Sequence, residues 1–122
     1  MADNTDNSLK SRLIAVREAA IENFMANPHP QRLLKTLCRN VDSVLIEAWH
    51  KTGLATEHVL IAVGGYGRGE LYPHSDVDVL ILLDKAPDSV LQKKLESLVQ
   101  LFWTLGVTIG HSVRTIEECL EE

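Results

Sequence analysis

The chain has 122 residues, about one domain's worth, and its 45% apolar and 24% charged content excludes a disordered polymer. Twelve basic against 17 acidic side chains give a net charge of −5, and no Lys/Arg-rich patch interrupts the sequence. General nucleic-acid binding, which needs cationic surface to displace counterions, is therefore excluded, whereas one nucleotide bound through a metal is not.

The elements are predicted in chain order as follows. After a short polar tail, Leu9, Leu13, Val16, Ala20 and Phe24 recur at helical spacing, with Asn7 or Ser8 available as the cap. Asn27-Pro28-His29-Pro30 ends that helix, because proline lacks a donor and restricts its predecessor. A second helix is expected from about Gln31 to His50, with Leu34, Leu37, Val41, Val44, Leu45 and Ala48 as its buried stripe and Gly53 at its exit. The period then changes. His58 to Val63 reads as a central strand, and Gly64 to Ser75 reads as a glycine-rich polar turn. Asp76 to Leu83 is a second strand. Asp88 or Ser89 caps a third long helix reaching Leu105, with Leu91, Leu95, Leu98, Phe102 and Leu105 on one side. Val107 to Arg114 reads as a third strand, and Thr115-Ile116-Glu117-Glu118 has the pattern of a capping box opening a last helix. Only about two turns of it remain, too few to stand without packing, so the chain reads as the front part of a longer protein, truncated at its C-terminus. Trp49, Phe102 and Trp103 are expected to pack in the core.

The longest apolar runs, Val59–Val63 and Val79–Leu83, have five residues each, far short of the roughly 20 that cross a bilayer. The N-terminus carries no signal-peptide pattern. Cys38 and Cys119 lie far apart and read as reduced thiols, and the scattered histidines form no metal spacing, so a cytoplasmic protein is expected.

The chemistry concentrates between Val63 and Leu80. Asp76 and Asp78 alternate with Val77 and Val79, so on a strand both carboxylates leave one face, about 7 Å apart along the chain. Two like charges this close repel unless a cation compensates. Magnesium, which prefers carboxylate oxygen plus substrate phosphate, would supply it. Taken alone the pair would equally describe a solvent-facing strand edge. Four glycines, Gly64, Gly65, Gly67 and Gly69, lead into it, however, and bare glycine backbone lets N–H groups approach phosphate oxygens. A P-loop is excluded because Glu70 follows Gly69, and a dinucleotide fingerprint because its third glycine position is again Glu70.

A Gly-Gly turn after a strand, followed by Asp-x-Asp on the next, resembles the polymerase-β-type nucleotidyltransferases. More narrowly, Gly64-Gly65-Tyr66-Gly67-Arg68-Gly69-Glu70-Leu71, Pro73 and Ser75-Asp76-Val77-Asp78, with Gly110-His111-Ser112-Val113-Arg114-Thr115 downstream, resemble the bifunctional uridylyltransferases that modify the nitrogen-signalling protein PII. The resemblance covers Leu60 to Cys119; the two N-terminal helices match only in being helical. It implies an α/β, polymerase-β-like fold, a small mixed sheet with helices, preceded by two helices, with residues 1–55 the helical segment and 56–122 the transferase core. It also implies transfer of UMP from UTP to a tyrosine of PII, releasing pyrophosphate, with Asp76 and Asp78 holding magnesium and Gly64 and Gly65 approaching the triphosphate. Ser75 would donate to a phosphate or close the turn. Arg68 would neutralise phosphate, the reading preferred, or pair with Glu70. For His111 and Arg114 structural roles are preferred over site roles. A third carboxylate, used across the superfamily, is missing from Thr108, Gly110 and Ser112, and Glu117 and Glu118 read as caps. It is expected beyond Glu122, so this chain is expected to bind nucleotide without turning it over. Two alternatives stand beside this reading, an adenylyltransferase of the same superfamily and a non-catalytic nucleotide- or protein-binding module. Oligomeric state is not legible, although exposed Ile116 and Leu120 would favour self-association.

Overall fold

A computed structural model describes residues 2–54, 58–71 and 76–121. Helix α1 runs Ala2–Ala26 and α2 runs Pro30–Lys51, followed by strand β1, Val59–Val63. One helical turn, α3, spans Gly64–Gly67; β2 is Val77–Leu83, α4 is Ser89–Thr104, β3 is Ile109–Thr115 and α5 is Ile116–Glu121. The sheet order is β1-β2-β3, with β1 antiparallel and β3 parallel to the central β2. A parallel neighbour needs a crossover, and α4 supplies it. The expected small mixed α/β sheet with two preceding helices is the fold observed.

Strand β2 alternates cleanly. Val77, Val79, Ile81 and Leu83 are each at most 2% exposed, and they share one core cluster with Leu37, Val41, Val44 and Leu45 of α2 and Leu95, Leu98 and Phe102 of α4. The helices thus lie on the valine face, and Asp78, Leu80 and Leu82 leave by the other. Leu9, Leu13 and Ala20 bring α1 into the same cluster, and the buried Asn40 of α2 donates to the Leu13 carbonyl at 2.9 Å, fixing how the two helices meet. At the helix ends, Asp88 accepts from the Leu91 N–H at 2.8 Å. The capping box is present in both halves: Thr115 N–H to Glu118 at 2.8 Å, and Glu118 N–H to the Thr115 hydroxyl at 3.1 Å. These bonds hold the Glu118 carboxyl below its usual range.

Three expectations need correction. Helix α1 begins at Ala2 rather than after a polar tail, so neither Asn7 nor Ser8 caps it; once a helix is nucleated by packing, extension through residues without proline or glycine costs little. The stretch expected as an open turn after Val63 coils first into α3. Of the three aromatic residues assigned to the core, Phe102 is buried and Trp49 half-buried, but Trp103 is 82% exposed, because it follows Phe102 by one residue and therefore points about 100° away around the helix.

Close approach decides one glycine. A Cβ at residue 67 would lie 2.7 Å from the Ala62 carbonyl oxygen, so α3 rests directly on the backbone of β1. Gly67→Ala is therefore expected to destabilise the fold by about 1–3 kcal/mol, read as a lower urea midpoint at unchanged slope; an unchanged midpoint would mean that the turn does not sit there.

Candidate functional site

Asp78 stands in the middle of the sheet, level with Val63 of β1 on one side and Gly110 of β3 on the other. Two glycines lie against its carboxylate oxygens. A Cβ at Gly64 would lie 3.1 Å from Oδ2 of Asp78, and one at Gly110 would lie 2.6 Å from Oδ1. The carboxylate thus fills the space that two side chains would otherwise take, half-buried between the end of β1 and the start of β3. Gly64 also has a φ of +61°, a left-handed conformation that disfavours any side chain there. Asp76 is exposed and immediately precedes β2, where the Val77 N–H donates to the Thr108 carbonyl at 2.9 Å and ties this end of the strand to β3.

From Gly64 the backbone turns once as α3. The first four N–H groups of any helix, counted from the N-cap, lack an intrahelical partner, here those of Val63 to Tyr66. The Arg68 N–H closes onto the Gly64 and Gly65 carbonyls at 3.2 and 3.1 Å, and the Glu70 N–H onto the Gly65 carbonyl at 2.8 Å. Gly65 therefore sits at the centre of a tight backbone coil beside Asp78. Arg68 lies over it, its guanidinium 3.8 Å from where a Gly65 Cβ would be, and its Nε is 3.6 Å from Glu70. The pairing weighed second from the sequence is the one present. Both side chains are more than half exposed, so the pair is worth little and exchanges readily for a better anion. Ser75 lies outside the described residues.

The register separates the remaining candidates. Gly110, Ser112 and Arg114 share the Asp78 face, whereas His111, level with Val79, belongs to the opposite one. His111 is thereby removed from the aspartate site. Among the described residues no group of three or more His, Cys, Asp or Glu side chains converges. A cavity of about 520 Å³, lined by Asp42, Trp49, His50, His58, Leu60 and Tyr66 among others, lies between α2 and the valine face of the sheet, away from Asp78.

A nucleotidyltransferase domain model matches residues 32–121, three-quarters of the chain. The chain belongs to the nucleotidyltransferase domain family. Relatives named bifunctional uridylyltransferase/uridylyl-removing enzyme come from Bordetella parapertussis, 50% identical over 116 residues, Cupriavidus metallidurans, 46% over 114, and Burkholderia mallei, 42% over 115. The match covers 95%, 93% and 94% of the chain respectively, and the chain spans 13% of each relative's length. No solved structure matches. The similarity thus takes in the N-terminal helices as well, which the motif comparison had credited only with being helical. No helix of the nucleotidyltransferase domain, among the described residues, is long and apolar enough to cross a membrane.

Two features of the site escaped the sequence reading. Gly110 was weighed only as a position lacking a carboxylate, whereas it makes room for one; a glycine inside a strand pattern, which marks close approach of another group, was the available signal. Tyr66 is 7% exposed and donates to the Asp42 carboxylate of α2. Nothing in the sequence pairs Tyr66 with Asp42, which are 24 residues apart.

Burial, then the hydrogen bond to Asp42, raises the Tyr66 phenol far above the ordinary tyrosine range. The folded state holds this proton more tightly than the unfolded chain. Its stabilisation is therefore full below the unfolded value of about 10 and is lost only as pH rises from there toward the raised value. An ultraviolet titration should show one of the two tyrosines ionising only with alkaline unfolding; both ionising together near pH 10 in the folded protein would contradict the burial.

Proposed function

We propose that this domain carries the transfer of UMP from UTP to a tyrosine hydroxyl of the PII signalling protein, with Asp76 and Asp78 as the ligands to magnesium. The observation that supports it most is the seating of Asp78 between Gly64 and Gly110, at the mouth of the glycine coil. A carboxylate on the central strand with glycines against both of its oxygens is left room for an incoming ligand, and a hard cation sharing carboxylate and phosphate oxygens fits that donor set. Asp76 and Asp78 would hold the metal, and the chemistry it supplies when bound is neutralisation of the triphosphate and activation of the attacking oxygen.

The chain's own groups then divide the remaining work. Gly64 and Gly65 leave their N–H groups accessible to triphosphate oxygens, and Arg68, released from Glu70, adds a planar cation at the same place. Ser75, one residue before Asp76, is assigned to the same phosphate group. In the reaction the tyrosine oxygen of the acceptor bonds to the α-phosphorus of UTP as the bond to the bridging oxygen breaks and pyrophosphate leaves. The names carried by the relatives favour uridylyl over adenylyl transfer. The positions facing Asp78 from β3 are Gly110 and Ser112, neither acidic, so this domain contributes two carboxylates to the site and nucleotide binding is its proper readout. A reducing, cytoplasmic setting accords with the two free cysteines.

Calorimetric titration with UTP and with ATP, with and without magnesium, tests the reading. Saturable binding that requires magnesium and prefers UTP is expected. Asp76→Asn combined with Asp78→Asn should abolish it in a folded protein, and equal binding by that variant would refute the metal assignment. Gly110→Ala, which pushes a methyl into Oδ1 of Asp78, should weaken binding by about tenfold, or roughly 1.4 kcal/mol, while leaving the sheet intact.

A further inference from the structure

The nucleotide reading leaves unexplained how the glycine coil is held. Helix α3 is Gly-Gly-Tyr-Gly, and glycine disfavours helix by about 1 kcal/mol per residue, while a single turn cannot sustain itself. Tertiary contacts must impose it. Gly64 and Gly67 supply two, against Asp78 and the Ala62 carbonyl, but both are contacts of approach that limit motion in one direction only. The third comes from Tyr66, the one residue of α3 that has a side chain. Its ring is buried and its hydroxyl donates to Asp42. Four residues earlier on α2, Cys38 packs against the core cluster that holds Leu71, itself 3% exposed at the far end of the glycine segment. Cys38 and Asp42 are neighbours on one helix face, and of the two it is Asp42 that holds the segment, through the Tyr66 hydroxyl.

We infer that Tyr66 and Asp42 form a positioning clamp, through which α2 holds the glycine coil beside Asp78 and sets the affinity for the metal–nucleotide without touching it. This rests on the nucleotide reading for its consequence, though not for its geometry. A buried phenol left without its acceptor is costly, so losing the bond frees the coil to uncoil rather than merely weakening one contact. Asp42 itself is exposed and would otherwise be hydrated; its role is to receive the hydroxyl at the rim of the core.

The test compares the wild-type chain with Tyr66→Phe, Asp42→Ala, Asp42→Asn and the double variant Tyr66→Phe/Asp42→Ala, using two readouts. Amide hydrogen exchange in the free protein should accelerate on the order of tenfold at Arg68, Gly69 and Glu70, whose N–H groups close the coil, in Tyr66→Phe and Asp42→Ala, with β2 and α4 unchanged. Magnesium-dependent UTP affinity should fall on the order of tenfold in the same two variants. Asp42→Asn, which still offers an oxygen acceptor, should restore both readouts, and the double variant should be no worse than either single one. Wild-type exchange at the coil in Tyr66→Phe, or strictly additive losses in the double variant, would overturn the clamp. If the wild-type chain binds no magnesium–UTP, the nucleotide reading fails by itself, and the exchange readout still decides the clamp.

Discussion

The geometry of this domain depends on one steric constraint: a carboxylate stands on the central strand of a three-stranded sheet, and the two residues its oxygens press against, Gly64 and Gly110, have no side chains. Adjacent strands lie about 4.8 Å apart, and Asp78 occupies room that Cβ atoms on Gly64 and Gly110 would fill. A glycine inside a strand, here Gly110 in β3, weakens a sheet. The loss is offset on the other face, where Val77, Val79, Ile81 and Leu83 lock β2 onto α2 and α4. Burial of roughly 2 kcal/mol for each such side chain is enough to hold a strand whose outer face is reserved for charge. The site is thus open on one side because the core is closed on the other.

The same logic assigns α2 two tasks. Its stripe of Leu37, Val41, Val44, Leu45 and Ala48 fills the core, and its rim residue Asp42 reaches the glycine segment through Tyr66. A helix that resembled a separate N-terminal segment in sequence is joined to the transferase sheet in a single hydrophobic cluster.

Much of this was legible in the sequence. Strands β1 and β2 announce themselves by β-branched runs, the stop at Pro28 and Pro30 by proline chemistry, and α5 by reciprocal hydrogen-bonding partners three residues apart. All of these are local patterns. Asp76 and Asp78 were singled out because strand alternation is local as well; Asp78 does leave β2 opposite the valines, whereas Asp76 lies just before the strand. What escaped was non-local. The role of Gly110 depends on parallel register with β2, and the Tyr66–Asp42 bond depends on how α2 crosses the end of the sheet. The coil at Gly64–Gly67 opposes glycine's own propensity and exists only through contacts made elsewhere. Trp103 shows the reverse error, since an apolar residue type says little about which side of a helix it occupies.

The central claim is that the two aspartates and the glycine coil form one metal–nucleotide site on the open face of the sheet. Replacing magnesium by paramagnetic manganese in the presence of UTP, and recording amide line broadening by NMR, tests it most directly. The account predicts broadening strongest at Asp76, Asp78, Gly64, Gly65 and Gly110, with Leu13 and Leu98 in the helical layers little affected. Broadening centred instead on His50 and His58, across the sheet, or an undisturbed spectrum at Asp78, would contradict it.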